Sequence, residues 1–272
     1  MRSQKELSLD TKILDTVTRF GLSSGKAVKA VKLALGDDEI QAMQEYANTV
    51  SIMRLGFNDH GPVHMRTVAL NALIMMGLLR DAGIKTNLEK EGCGEFEDSL
   101  TAVFLASLLH DMGMTIGRQD HEMHSIYLAY PVLDRLLRKV YSGDLQKLVT
   151  VRSMALEGIS GHMGTKTIHS LEAGVVQIAD GCDMTKGRAR IPLIIAGSPR
   201  PGDIHQISAN SIENVRIFRG KEQPVRIEIQ MSSEVGLFQI EEVLLVKIAK
   251  STAKSYIELY ALVDNRDPKR YL

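Results

Sequence analysis

Residues 63–80 would leave a helix almost no polar face. Leu70, Leu73, Ile74, Met76, Leu78 and Leu79 are distributed around the whole turn. A helix that is apolar all round cannot lie on a surface, so this one must be central, with other elements packed on every side. Gly61-Pro62 breaks the chain just before it, and proline suits the first helical position, where the missing N–H costs nothing. A second run, 99–110, is equally apolar through Val103, Phe104, Leu105, Leu108 and Leu109. Two such segments point to helices layered around a shared core.

The rest of the first two hundred residues agrees. Helical spacing marks 7–20, 25–35 and 39–55, with Asp37 and Asp38 placed as a helix start. It returns at 121–138, which contains Pro131, at 144–159 and at 168–182. Pro199-Arg200-Pro201-Gly202 then reads as a turn-forming linker. Beyond it Val225, Ile227, Ile229 and Met231 alternate with Arg226, Glu228 and Gln230, the pattern of a half-buried strand. Further strands are expected at 213–219 and 256–263, and a helix at 238–249. The expected fold is mainly α: a helical bundle over 1–200, with a small, separable α+β unit at 201–272 serving dimerisation or ligand sensing. Its alternating strand would leave an edge that a second copy of the chain could cover, giving a homodimer.

Lysine plus arginine equals aspartate plus glutamate, 33 each, which gives no overall pull toward nucleic acid or an anionic membrane. The two cysteines, Cys93 and Cys182, form no CxxC pair, which excludes a disulfide scaffold or zinc ribbon. The polar start and the lack of an apolar run approaching ~20 residues make the cytoplasm the expected location. Gly21 to Lys26 is one residue short of a phosphate-binding loop and lacks the hydroxyl residue after lysine.

The chemistry lies in the histidines. Of eight, seven fall between His60 and His169. His64 opens the central apolar helix, and His110-Asp111 closes the other in Leu-Leu-His-Asp-Met-Gly. An ionised aspartate ending an apolar helix is costly unless it is paired or bound to a cation. Asp180 sits in a third apolar run, Val-Gln-Ile-Ala-Asp. At ~100° per residue His169, Glu172, Asp180 and Asp183 share one stripe of that segment, which is either a solvated face or a ligand face. Imidazole mixed with carboxylate suits Mn, Fe, Co, Ni or Zn, with Mg able to serve.

His64, then His110-Asp111 with Gly113, then Asp180 resembles the pattern of the HD superfamily of metal-dependent phosphohydrolases, over about residues 50 to 190. That resemblance implies a helical HD domain with His64, His110, Asp111 and Asp180 as metal ligands. His124 and His162 lie where two-metal members, including the HD-GYP phosphodiesterases, place further histidines, and Asp111 would then bridge one or two divalent ions. The Gly-Tyr-Pro element is absent and Met114 replaces that subfamily's lysine, so cyclic dinucleotide hydrolysis is not implied. His60-x-x-x-His64 also resembles class I cyclic-nucleotide phosphodiesterases, where the first histidine protonates the leaving group; capping or lining the mouth is the alternative for His60.

Lys186, Arg188 and Arg190 follow the last aspartate at alternate positions, either gripping phosphate oxygens or forming solvated surface. The expected reaction is hydrolysis of a phosphoester, of a nucleotide or related small phosphate compound, with Asp111 and His60 at the chemistry. The rival expectation is a silent metal- and nucleotide-binding sensor that signals through the C-terminal unit.

Overall fold

The computed structural model describes residues 2–20, 25–186, 204–263 and 268–272. Its N-terminal part is helical: α1 (Gln4–Arg19), α2 (Lys26–Leu35), α3 (Asp38–Thr49), α4 (Pro62–Asp81), the single turn α5 (Asn87–Lys90), α6 (Phe96–Leu109), α7 (His121–Val140), α8 (Leu145–Gly161) and α9 (Leu171–Gly181). The helix starts follow capping chemistry. Ser3 and Glu6 form a reciprocal capping box on α1, Asp37 accepts from Ile40 N on α3, and Asp144 accepts from Lys147 N on α8. The helix expected over 39–55 changes hand-off at Thr49: Val50–Arg54 continues as a π-helical turn before the chain reaches Asn58 and His60. Pro131 is accommodated inside α7.

Helix α4 is the centre, as its all-round apolarity requires. It packs on α1, α6 and α9, and its remaining side meets the C-terminal strands. By length and composition it could cross a membrane, contrary to the expectation that no apolar run approaches that length. In the fold it is a core helix, with Met65, Val68, Ala69, Ala72 and Leu73 fully buried.

The C-terminal part begins with α10 (Ile204–Ser211) and runs through β1 (Ile212–Arg219), β2 (Val225–Met231), α11 (Leu237–Gln239), a π-helical turn (Ile240–Leu244), α12 (Leu245–Lys250), β3 (Ile257–Val263) and β4 (Lys269–Arg270). The sheet order is β1-β2-β3-β4, with β2 and β3 parallel and the outer pairs antiparallel. The alternation in β2 is as the sequence implies: Val225, Ile227, Ile229 and Met231 are buried. Ile227 and Ile229 lie in register with Leu259 and Ala261. On the opposite face Gln230 is exposed, while the Arg226 guanidinium lies 3.8 Å over the Tyr260 ring and donates to the buried Glu228.

Two parallel strands cannot be joined by a hairpin; their connection must cross over. Here α11, the π turn and α12 form that crossover, and Ile240, Leu244 and Ile248 are buried in the same core as the bundle. Helix α12 lies against α9, where a Cβ on Gly174 would come within 2.2 Å of Thr252 Oγ1. Among the described residues, the buried residues of the sheet and of its crossover belong to the same large apolar cluster as those of the helices.

Candidate metal centre

Helix ends deliver the histidines. His64 is in the first turn of α4, His110 and His162 are the C-caps of α6 and α8, and His121 opens α7. All four are buried. At His110, His121 and His162 the ring Nδ1 lies 2.7–2.9 Å from the carbonyl three residues earlier, those of Ser107, Arg118 and Ile159. A carbonyl only accepts, so each Nδ1 carries a proton, and in the neutral ring each Nε2 presents a lone pair. His64 Nδ1 is held in the same way by Asp183 Oδ2 at 2.7 Å.

The four Nε2 atoms then meet in pairs. His64 and His110 approach to 3.2 Å, and so do His121 and His162. Asp111 lies between the pairs. Its Oδ2 is 3.2 Å from His64 and 3.3 Å from His110; its Oδ1 is 3.2 Å from His121 and 3.5 Å from His162. Asp180 Oδ1 adds to the first pair, 3.3 Å from His64 Nε2 and 3.7 Å from His110 Nε2. Facing lone pairs repel unless a proton or cation draws both. Ligating imidazoles oriented by an Nδ1–H bond to a carbonyl or carboxylate are the usual arrangement around a metal. Two overlapping buried groups, His64-His110-Asp180 and His110-Asp111-His162, could each hold an ion.

Glycine makes the geometry reachable. Gly113 follows Asp111, and a Cβ there would come within 2.0 Å of the His121 carbonyl oxygen. Its N–H donates to Ser125 Oγ at 2.8 Å. Only glycine lets this turn press onto the first turn of α7 and bring His121 to Asp111.

Electrostatics in the cluster is strongly perturbed. Burial disfavours a charge on His110, but Asp111 and then Asp180 outweigh it and raise its pKa to about 9. His162 is pushed down to about 4, by burial first and then by the charge of His110. Asp111 stays well below the carboxylate range despite burial, held there by His110, His121 and His162. Asp180 is likewise held down against burial, by Lys247 first and then by His110 and His64.

These shifts set a sign for metal binding. A ligating imidazole must be neutral, so below about pH 9 metal uptake must expel the His110 proton. Apparent affinity should rise about tenfold per pH unit from pH 6 toward 9 and level off above that. Calorimetric metal titrations in buffers of different ionisation enthalpy read the released proton directly, and uptake without proton release would refute the assignment of His110 as a ligand.

The expected residues are only partly brought together. His64, His110, Asp111, His162 and Asp180 converge. His124, expected as a second-metal ligand, does not: it is half-buried, and its Nδ1 meets no hydrogen-bond partner among the described residues. His121, three residues earlier in the same Asp-His-Glu-Met-His segment, lies beside Asp111 and His162 instead. The stripe on α9 divides as well. Asp183 orients His64, but Glu172 accepts from Asn87 N, Leu88 N and Ser99 Oγ and so caps α5, while His169 is exposed ahead of the helix. Lys186 is exposed, 3.9 Å from Glu213 Oε1, and Arg188 and Arg190 lie outside the described residues.

A cavity of about 140 Å³ opens onto the cluster. His60, Asp111, Arg118, Asp180, Gln239 and Lys247 are among its lining residues. His60 Nδ1 is tied to Asn58 O at 2.6 Å and Ser51 Oγ at 2.8 Å, so any proton exchange with the cavity falls to Nε2. Two lining cations escaped sequence reasoning. Lys247 donates to Asp180 Oδ2, and Arg118 Nη1 lies 3.4 Å from His121 Nε2.

No protein-family model matches the chain, and no solved structure matches it. Over 230 residues it is 40% identical to the uncharacterized protein MJ1020 of Methanocaldococcus jannaschii, an alignment spanning 85% of this chain and 86% of that protein. Identity at that level over most of both chains places this protein in the family of MJ1020.

Proposed function

We propose that this protein is a metal-dependent phosphohydrolase of the HD type, with a dinuclear centre bridged by Asp111. The observation that carries the reading is the pairing of four Nδ1-tethered histidines on the two oxygens of one buried aspartate. His64, His110, Asp111 and Asp180 would hold one ion, and His121, His162 and Asp111 the other. The mixed imidazole and carboxylate donors suit Mn, Fe, Co, Ni or Zn. Divalent ions there would polarise a phosphoryl oxygen and bring a water's pKa toward neutrality. The chain itself supplies the rest: Asp183 fixes the His64 ring, the helix-end carbonyls fix the other three, and His60, which lines the cavity, would pass a proton to a leaving oxygen through Nε2. The substrate class that fits is a small phosphorylated compound such as a nucleotide.

Elemental analysis of the purified protein and a phosphatase and phosphodiesterase screen with Mn²⁺ test this. Near two metals per chain are expected, with hydrolysis of at least one phosphoester. His121→Ala should reduce the metal content to near one, and His124→Ala should leave it unchanged. Equal losses in the two variants would contradict the two-position assignment, and a metal-loaded protein inert to every phosphoester would remove the enzymatic reading.

A further inference from the structure

We infer that Arg118 and Lys247 form a clamp for the substrate's phosphate group, and that the C-terminal part supplies half of it. This rests on the phosphohydrolase reading. The two cations stand at opposite ends of the ligand cluster. Arg118, just ahead of α7, contacts His121 Nε2, in the His121–His162 pair; Lys247, on α12, contacts Asp180 Oδ2, beside the His64–His110 pair. Both line the cavity that opens on Asp111. Lys247 is buried, and Arg118 is half-buried.

Each contact is provisional in a specific way. The N–H of Arg118 addresses the same His121 lone pair that a metal would take, because His121 Nδ1 is committed to the Arg118 carbonyl. A ligated His121 therefore leaves the guanidinium in the cavity without that acceptor. Asp180 is different: Oδ1 faces His64 and His110, so Oδ2 can keep Lys247 while Oδ1 ligates. The ammonium carries three N–H donors, and one is spent on Asp180. A phosphate bridging the cluster meets a planar guanidinium on one side and an ammonium on the other. Such charge-assisted bonds are the strong ones, and the guanidinium fork matches two phosphate oxygens at once. In this reading Arg118 and Lys247 take the part first expected of Lys186, Arg188 and Arg190.

The test is calorimetric titration of inorganic phosphate into the Mn²⁺-loaded full-length protein, with metal content measured in parallel. Arg118→Met and Lys247→Met should each weaken phosphate binding about 10- to 100-fold, and the double variant should abolish it, with metal content unchanged. Arg118→Lys should restore part of the loss. If both single variants bind phosphate as the parent does, the clamp is wrong while the phosphohydrolase reading stands. If the metal-loaded parent itself binds no phosphate, that reading fails, and the clamp with it. A Lys247→Met protein that loses metal, with Lys247→Arg recovering metal but not phosphate affinity, would make Lys247 a holder of Asp180 and overturn its place in the clamp.

Discussion

Replacing Asp111 with alanine is expected to empty both metal positions at once and to abolish hydrolysis. Among the described residues Asp111 alone faces both histidine pairs: Oδ2 is within 3.3 Å of His64 and His110, and Oδ1 is within 3.5 Å of His121 and His162. Removing a group that only orients a ligand already costs about 10- to 100-fold in metal affinity. Removing a ligand shared by two ions must cost more, because each ion loses a bond and nothing remains to separate two dications. Asp111→Asn sharpens the result. It keeps the shape but removes the charge that, with Asp180, holds the His110 pKa at about 9. In the metal-free variant His110 should titrate lower, so residual metal binding should become less dependent on pH. The measurement is metal content per chain beside circular dichroism. A folded Asp111→Ala protein that retains near two metals would show that the carboxylate is not the bridge.

What could be read from the sequence follows a physical line. His64, His110, Asp111 and Asp180 stand out because each is a polar residue in or at the end of an apolar run, and burying such a group demands a partner; His162 stands out only through the family resemblance. The helices, and the strand at Val225 to Met231, were legible because periodicity is local. The failures are all matters of distant contact. Choosing His121 over His124 depends on where α7 starts, and that is fixed by Asp120 in a left-handed conformation and by Gly113 pressing on the His121 carbonyl. Glu172 shares a stripe with Asp180, yet its partners Asn87, Leu88 and Ser99 lie more than seventy residues earlier. Lys247 looks like any lysine on an amphipathic segment, and it becomes a site residue only because the β2–β3 crossover lays α12 on α9. Lys186 shows the converse: adjacency in sequence to the last aspartate left it exposed, beside Glu213.

A chain ended at Gly197 should lose both its cooperative fold and its metal. Among the described residues, the C-terminal strands and crossover pack into the same apolar cluster as the helices. Truncation uncovers the side of α4 that meets β1 and β2 and the side of α9 that meets α12. It also removes Leu244, against which Gly181 packs, and the Thr252 hydroxyl that donates to Ser170 O at the start of α9. Fully burying one large apolar side chain contributes about 1.5–3 kcal/mol. A domain's whole stability is about 5–15 kcal/mol, so stripping several such contacts from two central helices removes most of it. The truncated chain should therefore show no sharp thermal transition and bind little metal. A milder probe reports on the same interface: Leu244→Ala, at a fully buried position, should cost about 2–5 kcal/mol and lower Tm without touching a ligand. A truncated protein that melts cooperatively and holds its full complement of metal would mean that the helical bundle is complete without the sheet.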